Sequence, residues 1–300
     1  MLLKLLNSLR FQWSKFLGGH SISIWKSFLA NGWLKFDYDH KIYHWVNVAK
    51  KKVFNRYNSG DFGWNNFRCG NTWFVGVNFL GNDKTASLNG ACFEGIPVTE
   101  IKSYFGHNIK YWDEAQVSIC WPNYPLQSDN ETHNAFNFRV NRYAAHVDGI
   151  LPFGREKRRF LKDPHAFIFG IPITYCDYKT APVVVWEGSH LIMREAFKRT
   201  YNASDSKNWD KIDVTNVYQK ARSRVFETCQ MKRLYVNLGE SYLIDRLAVH
   251  GIAPWEPREP KKNGVSTKDI KNQPEIKNGR AVIYFRPSFD ITSDWIKSYP

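Results

Sequence analysis

The sequence lacks long hydrophobic runs and any pairing pattern of cysteines. No run approaches the roughly 18 apolar residues of a transmembrane helix, so we do not expect a membrane-spanning segment. The apolar residues at the start are interrupted by Lys4, Asn7 and Arg10 and do not resemble a secretory signal. The five cysteines are scattered without a Cys-x-x-Cys pair, which argues against a disulfide framework or a cysteine zinc site. These absences predict a protein of the reducing cytoplasm.

Negative charge is scarce as well. The 300 residues include 42 Lys and Arg but only 28 Asp and Glu, which gives a formal net charge of +14. The basic residues form short clusters such as Lys50–Lys52, and we find neither a long basic tail nor a known nucleic-acid motif, so nucleic acid is not an expected partner. The excess charge suits either a solvated surface or an acidic substrate, for which Arg155, Arg158 and Arg159 are candidate contacts.

The composition is sufficient for a large core. Hydrophobic residues make up 43% of the sequence and aromatic residues 16%. In residues 1–55, apolar side chains such as those from Leu2 to Leu17 recur at helical spacing on a basic background, which predicts a mainly helical N-terminal region packed on the core. The alternative interpretation is peripheral contact of this region with an anionic membrane surface, which the combination of Lys, Arg and Trp favours.

From about residue 70 onward, short β segments replace the helical pattern. The predicted strands are 72–79, 116–121, 135–140, 166–173, 181–186, 240–245 and 280–285. Helices are predicted at 192–200 and 214–227. Many short strands without a regular βα alternation favour a β-sandwich or barrel over a doubly wound sheet. The polar segment 256–279 is predicted to be a surface loop, either a lid or an insertion without a function.

One segment contains residue types that bind metal ions. His146 and Asp148 form a His-x-Asp pair, and residues i and i+2 of a strand point to the same face. The pair alone is weak evidence, because chance readily produces one in a chain of this length. His250 follows an apolar run and precedes Gly251; a lone histidine in such a place is more often a packed core residue. Together, two imidazoles and one carboxylate match the facial triad of non-haem Fe(II) oxygenases.

Two arginines lie on the predicted strand that follows His250. Arg280 opens this strand, and Arg286, an even number of residues further on, would face the same side. A guanidinium can hold a carboxylate through two parallel hydrogen bonds, as an oxygenase requires for the distal carboxylate of 2-oxoglutarate. The alternative for Arg280 is a surface or ion-pair arginine at the start of a strand.

The order of these elements along the chain carries a resemblance. The elements are His146-x-Asp148, Trp186-Glu-Gly-Ser-His190, His250-Gly and Arg280. Over roughly residues 115–290 this order resembles the phytanoyl-CoA dioxygenase-like family of Fe(II)/2-oxoglutarate-dependent oxygenases. The resemblance implies an α+β protein, mainly β with flanking helices, whose core at residues 116–300 is a double-stranded β-helix, a cupin-like jelly roll. Residues 1–115 would form the mostly helical N-terminal region packed on it.

The resemblance also implies cofactors and residue roles. His146, Asp148 and His250 would bind Fe(II), with 2-oxoglutarate as the cosubstrate and O2 as the oxidant. The implied reaction is hydroxylation of an unactivated C–H bond with release of succinate and CO2, and the carboxylate at position 148 favours hydroxylation over halogenation. Arg280 is the first candidate for binding 2-oxoglutarate, and Arg286 is the second.

The sequence departs from the family's pattern in spacing. The interval from His250 to Arg280 is longer than in the family, and the polar segment 256–279 accounts for the excess. His190 matches no ligand position, so we assign it a structural role or a place near the pocket. Trp186 and Phe169 are more readily interpreted as core residues than as pocket residues.

Two other functions remain open from the residues. A zinc-dependent hydrolase could activate water at the same His/Asp/His site, and a non-catalytic jelly-roll module could bind an acidic partner through its basic surface. Turnover of 2-oxoglutarate would separate the oxygenase from both. We expect a small-molecule or lipid-like organic substrate, with an anionic group as one option. The expected location is the cytoplasm, with membrane association through the N-terminal helix as the alternative.

Overall fold

The computed structural model describes residues 20–106, 109–256 and 274–298. The helices in these ranges are α1 (His20–Asn31), α2 (His40–Asn58), α3 (Ile96–Phe105), α4 (His133–Asn141), α5 (Ser189–Tyr201) and α6 (Thr215–Thr228). The strands are β1 (Trp33–Phe36), β2 (Phe67–Arg68), β3 (Trp73–Gly76), β4 (Gln116–Cys120), β5 (Ile150–Phe153), β6 (Arg158–Leu161), β7 (Phe167–Pro172), β8 (Val183–Trp186), β9 (Met231–Leu234), β10 (Ser241–Asp245), β11 (His250–Ile252) and β12 (Arg280–Phe285). Of the helices in these ranges, none is long and apolar enough to cross a bilayer.

Two antiparallel sheets organise the chain. The larger sheet has the strand order β1-β10-β7-β12-β4-β3-β2, and the smaller sheet has the order β11-β8-β9. His146 forms an isolated bridge with His250 and so extends the smaller sheet beyond β11. Strands β5 and β6 form a separate two-stranded sheet. The protein is therefore a mixed α/β chain with antiparallel sheets, consistent with a jelly-roll-like fold.

Strand β12 shows how both faces of the larger sheet are buried. Ala281 and Ile283 belong to the main core, whereas Val282 and Tyr284 belong to a second buried cluster that includes residues of the smaller sheet. Burial on both faces explains why this segment is a continuous apolar run rather than an alternating one. Because side chains alternate along a strand, Arg280 shares the face of Val282 and Tyr284, which is the face between the two sheets.

Helix α2 covers the outer face of the larger sheet. The Asp39 carboxylate caps its first turn by accepting hydrogen bonds from the backbone N–H groups of Lys41 and Ile42. The ring of Trp45 lies 5.9 Å from that of Phe285 on β12. The apolar stripe of α2 is buried along its whole length and consists of Ile42, Trp45, Val46, Ala49, Val53 and Tyr57. Helical packing on this face therefore fills one side of the sheet, and the other side is left for the space between the sheets.

The strand predicted at 135–140 is wrong, because these residues lie in helix α4. The side-chain oxygen of Thr132 accepts a hydrogen bond from the backbone N–H of Ala135 and so caps the helix. No residue of α4 is fully buried. The alternation of Phe136 and Phe138 with polar residues therefore does not correspond to a buried strand face. The helix cap at Thr132, which lies before the alternating segment, favours a helix here instead.

The other predicted strands coincide with β3, β4, β7, β8, β10 and β12, and the predicted helices near 192–200 and 214–227 are found as α5 and α6. Within the N-terminal region, α1 and α2 agree with the prediction, but β1 interrupts the helical stretch. Leu34 and Phe36 of β1 are buried, and the strand pairs with β10. The division of the chain at residue 115 stays a prediction. The predicted helix over residues 2–17 and most of the polar segment 256–279 lie outside the described residues.

Candidate metal centre

His146, Asp148 and His250 converge in space. One potential ligand atom from each residue lies within 4.8 Å of the others, and they form the only such cluster of three or more His, Cys, Asp or Glu side chains in the described ranges. Asp148 and His250 are largely buried, whereas the side chain of His146 is 42% exposed. The cluster is therefore anchored in the protein and open to solvent on the His146 side.

Backbone pairing brings the two histidines together. The N–H of His146 donates to the carbonyl of His250 over 2.8 Å, and the N–H of His250 donates to the carbonyl of His146 over 3.0 Å. Directly opposed residues in an antiparallel pair project to the same face, and the two ring centroids lie 4.6 Å apart. Gly251 permits this close approach, because a Cβ at that position would overlap the carbonyl oxygen of Tyr143.

The hydrogen bonds of the two rings fix their tautomers. Nδ1 of His146 lies 3.0 Å from the carbonyl of Ala144, and Nδ1 of His250 lies 2.9 Å from that of Ala248. A carbonyl oxygen can only accept, so each Nδ1 carries a proton and each Nε2 is left to the site. The two Nε2 atoms lie 3.0 and 3.6 Å from Oδ1 of Asp148. Three acceptors that face one another in this way require a cation between them, either a proton or a metal ion.

The charges around Asp148 favour its ionised form. Burial raises the pKa of this carboxyl, but hydrogen bonds with His146 and His250 and the positive charge of Arg286 hold it well below its ordinary value. Burial lowers the pKa of His250, and the interaction with Asp148 more than offsets this and raises it. The site therefore stabilises a carboxylate together with positive charge, which is the electrostatic arrangement of a cation-binding centre.

The turn that delivers His250 is clamped by residues that the sequence interpretation missed. The N–H of Val249 donates to Oγ of Ser189 over 2.8 Å, and the N–H of Leu247 donates to Oδ1 of Asp245 over 2.8 Å. Asp245 in turn pairs with Arg194, whose Nη2 lies 2.9 Å from Oδ2. Ser189 lies in the Gly-Ser-His motif, which was the one signal in the sequence for this support.

Arg280 lies between the sheets without an acidic partner among the residues that the structure describes. The residue is 1% exposed, and its Nη2 donates to the hydroxyl of Tyr284 over 3.3 Å. Within the described ranges, its Nε and Nη1 have no hydrogen-bond partner. Burial raises the pKa of the neighbouring Cys120 thiol to about 12 despite the guanidinium, so this thiol stays neutral. Arg280 is thus a buried cation that lacks an anion, a costly arrangement unless a ligand supplies one.

Arg286 is placed differently from Arg280. Its Nη1 lies 3.5 Å from Oδ2 of Asp148, and its Nη2 donates to Oε1 of Gln116 over 2.8 Å. Its backbone N–H donates to Oδ1 of Asp113 over 2.7 Å. The second candidate for 2-oxoglutarate binding therefore orients the carboxylate of the metal site. Asp113 and Gln116, which support it, carried no signal in the sequence.

Three other residues singled out from the sequence, His190, Trp186 and Phe169, are structural. His190 is buried, and its Nε2 lies 3.0 Å from the carbonyl of Leu29. Trp186 and Phe169 are buried in the main core. Arg158 pairs with Glu156 on the protein surface and so is already neutralised.

Comparisons with known proteins give similarities of fold only. No protein-family model and no curated protein matches the sequence. Among solved structures, the non-heme alpha ketoglutarate dependent carbocyclase SnoK from nogalamycin biosynthesis is 11% identical, with 88% of this chain and 83% of that chain covered at a TM-score of 0.46. The epimerase SnoN from the same biosynthesis is 9% identical, with 94% and 90% covered at 0.47. EctD from S. alaskensis with bound Fe is 9% identical, with 87% and 74% covered at 0.43. At such values, function has to be inferred from the side chains of the site.

Proposed function

We propose that the protein is an Fe(II)/2-oxoglutarate-dependent dioxygenase that hydroxylates an unactivated C–H bond of an organic substrate and releases succinate and CO2. The observation that carries this proposal is the combination of a His/Asp/His cluster with a buried guanidinium, that of Arg280, which has no acidic partner among the described residues. Arg280 is the first residue of β12 and lies on its inner face, and Arg286, which directly follows the strand, reaches Asp148. The inner face of β12 thus connects the cation-binding cluster to the unpaired cation.

The strand orders support a closed double-stranded β-helix for the proposed enzyme. Strands β10-β7-β12-β4 form a four-stranded block within the larger sheet, and β9-β8-β11 with the His146 segment form a second block. Buried residues of both blocks, among them Ile168, Val185, Leu234 and Val282, belong to one cluster. This arrangement is the one expected for a member of the phytanoyl-CoA dioxygenase-like family.

The donor set fits Fe(II). Two imidazole nitrogens and one carboxylate oxygen leave coordination positions open for a cosubstrate and O2. Bound Fe(II) would supply the O2 activation and the C–H oxidation. The protein's part is positional: the carbonyls of Ala144 and Ala248 orient the two imidazoles, and Arg286 orients the carboxylate of Asp148.

Arg280 fits the distal carboxylate of 2-oxoglutarate. Its Nε and Nη1 are free to donate, and a carboxylate can accept from a guanidinium through two parallel bonds. The hydroxyl oxygen of Tyr284 accepts one hydrogen bond from the hydroxyl of Tyr242 and another from Arg280. These bonds fix the position of the guanidinium. A zinc hydrolase could use the same three ligands, but neither it nor a binding module requires an unpaired cation buried between the sheets.

The test is anaerobic addition of Fe(II) and 2-oxoglutarate to the full-length protein. We expect a weak visible charge-transfer band and, after admission of air, slow formation of succinate. Substitution His146→Ala should abolish both, whereas His44→Ala, which removes an exposed histidine on α2, should change neither. A folded, iron-loaded sample without the band would overturn the proposal, and hydrolysis with added zinc but no succinate would favour the hydrolase.

A further inference from the structure

Three arginines beside the metal cluster stack on aromatic rings. They are Arg142 on the C-terminal side of α4, Arg159 on β6 and Arg222 on α6. Within the described ranges, none of the three forms an ion pair with a carboxylate. We refer to these arginines, with the rings of Phe138, Tyr218 and Phe226, as the arginine–aromatic cluster.

The stacking holds each guanidinium in place. Cζ of Arg222 lies 4.9 Å from the ring centroids of both Phe138 and Tyr218. Cζ of Arg159 lies 5.3 Å from the ring centroid of Tyr218 as well. Stacking uses the faces of a guanidinium and leaves its N–H groups in the plane free to donate. These long side chains are therefore already ordered in the free protein, which reduces the entropy cost of binding a ligand.

Arg142 joins the same cluster through Phe226. Its Cζ lies 4.8 Å from the ring centroid of Phe226, and that ring lies 6.4 Å from Phe138. Phe226 also packs edge-on against the buried Trp186, at 5.3 Å. The aromatic part of the cluster is thus continuous with the core, while Arg142 itself is exposed.

The cluster lies directly beside the metal site. Nη1 of Arg222 donates to the carbonyl of Ala145 over 3.2 Å. Ala145 precedes His146, about 3.8 Å along the backbone. Among the three candidate metal ligands, His146 lies on the side open to solvent, with 42% of its side chain exposed. A ligand bound to Arg222 would therefore lie close to the solvent-exposed edge of the metal centre.

Two arginines close in sequence to members of this cluster are paired with carboxylates. Arg139, on the same helix that precedes Arg142, pairs with Glu131 at 2.8 Å. Arg158, which precedes Arg159, pairs with Glu156. Arg142 and Arg159 thus differ from their neighbours Arg139 and Arg158 in having no carboxylate partner within the described ranges.

We propose that the substrate carries a phosphate group that binds to Arg142, Arg159 and Arg222 and so presents its adjoining carbon skeleton to the metal centre. The planar N–H pairs of guanidiniums match the oxygens of a phosphate, and the aromatic rings suit an apolar portion of the same molecule. Phosphate binding by the arginines does not require a metal ion. Only the presentation of the carbon skeleton to the metal centre rests on the proposed oxygenase function.

The first test measures the binding of phenyl phosphate to the metal-free, full-length protein by calorimetry. Arg142→Gln should weaken binding by about tenfold, since hydrogen bonds to a charged group are lost. Arg142 is exposed, so this variant should fold normally. Arg224→Gln removes an equal charge from an exposed position on α6, outside the cluster, and should leave the affinity within about twofold of the wild type. Equal affinities of Arg142→Gln and wild type would overturn the proposal.

The second test locates the bound phosphate relative to the metal site. With Co(II) added, the 31P relaxation of phenyl phosphate should be enhanced in the wild type, and the enhancement should be lost in Arg142→Gln. Tight binding of both phenyl phosphate and Co(II) without enhancement would place the anion away from the metal and overturn the substrate assignment. Failure of the oxygenase proposal has a different signature: no charge-transfer band, with the affinity difference between Arg142→Gln and Arg224→Gln intact.

Discussion

Two buried groups of charged residues lie at the two ends of the turn between β10 and β11, and they are built in opposite ways. At the β10 end, Oδ2 of Asp245 lies 2.9 Å from Nη2 of Arg194 and 3.8 Å from Nη1 of Arg246, so that opposite charges are in contact. At the β11 end, His250 and His146 direct Nε2 atoms at Asp148, so that acceptors face acceptors. One group is complete within the protein, and the other requires a cation.

The difference separates structural from functional use of buried charge. Burial raises the pKa of Asp245, but Arg194 and Arg246 reverse this and lower it, as expected for an ion pair. Arg246 also donates to the carbonyls of Trp295 and Asp294. Arg280, in contrast, has no carboxylate partner among the described residues. A protein gains nothing in stability from such a cation, so its presence indicates a ligand.

The largest expected effect comes from breaking the complete group. Asp245→Asn leaves Arg194 and Arg246 without their counter-charge, and removing one partner of a buried ion pair costs about 3–5 kcal/mol. We expect the free energy of unfolding in urea to fall by this amount. The control is Glu195→Gln, which breaks an exposed pair with Arg199 and should cost less than about 1 kcal/mol. A loss below 1 kcal/mol in Asp245→Asn would show that the group is not a structural clamp.

Arg280, a buried cation without an acidic partner among the described residues, should respond in the opposite direction. Arg280→Leu removes a buried cation without an anion, so we expect the free energy of unfolding without cosubstrate to stay constant or to rise by about 1 kcal/mol. The same variant should lose the thermal stabilisation that 2-oxoglutarate gives to the wild type, because the guanidinium contacts are gone. Denaturation in urea and thermal shifts with 2-oxoglutarate measure the two effects.

Arg246→Leu is the matched control for Arg280→Leu. Both arginines are almost fully buried, but Arg246 lies beside Asp245 and donates to backbone carbonyls. Its replacement should therefore cost several kcal/mol. If Arg280→Leu destabilised the protein as much as Arg246→Leu, Arg280 would be a structural residue and the contrast between the two arginines would disappear.

The sequence allowed the metal cluster to be predicted because its residues follow local rules. His146 and Asp148 are two residues apart, and His250 precedes a glycine that a close backbone approach requires. Arg280 and Arg286 could be assigned to one side of the predicted strand because side chains alternate along a strand, but only the structure shows that the side of Arg280 faces the smaller sheet. The partners of these residues could not be predicted in the same way, since Asp113, Gln116 and Ser189 act through tertiary contacts.

The fold was predictable to a similar extent. Continuous apolar runs such as 166–173 and 280–285 mark strands buried on two faces, and these were found. The segment 135–140 shows the limit, because six alternating residues also fit a short, half-exposed helix whose cap lies upstream. Sheet order could not be read locally either, since β1 pairs with β10 from the far end of the chain.

A second buried carboxylate sharpens the comparison with Asp245 and gives the smallest effect. Burial raises the pKa of Asp113 to about 6, although the backbone N–H and the charge of Arg286 and the backbone N–H of Asp113 itself oppose it. Its ordinary value is about 3.9, so the folded protein binds the proton more tightly than the unfolded chain. The stability that Asp113 contributes is therefore complete below about pH 4 and is lost as the pH rises to about 6, whereas a carboxyl with a lowered pKa, such as Asp245, loses its contribution as the pH falls.

Asp113→Asn tests this sign directly. Asparagine retains an oxygen to accept from the N–H of Arg286 but cannot ionise. We expect the variant to be more stable than the wild type by about 1 kcal/mol at pH 7, after allowance for solvent screening, and the difference to shrink towards pH 4. Asp37→Asn, at an exposed position, provides the control. Urea denaturation at both pH values measures the difference, and a constant difference would mean that Asp113 does not titrate between them. Because all variants share the same histidines, their titration cancels in this comparison, so the pH dependence that remains belongs to the carboxylate behind Arg286.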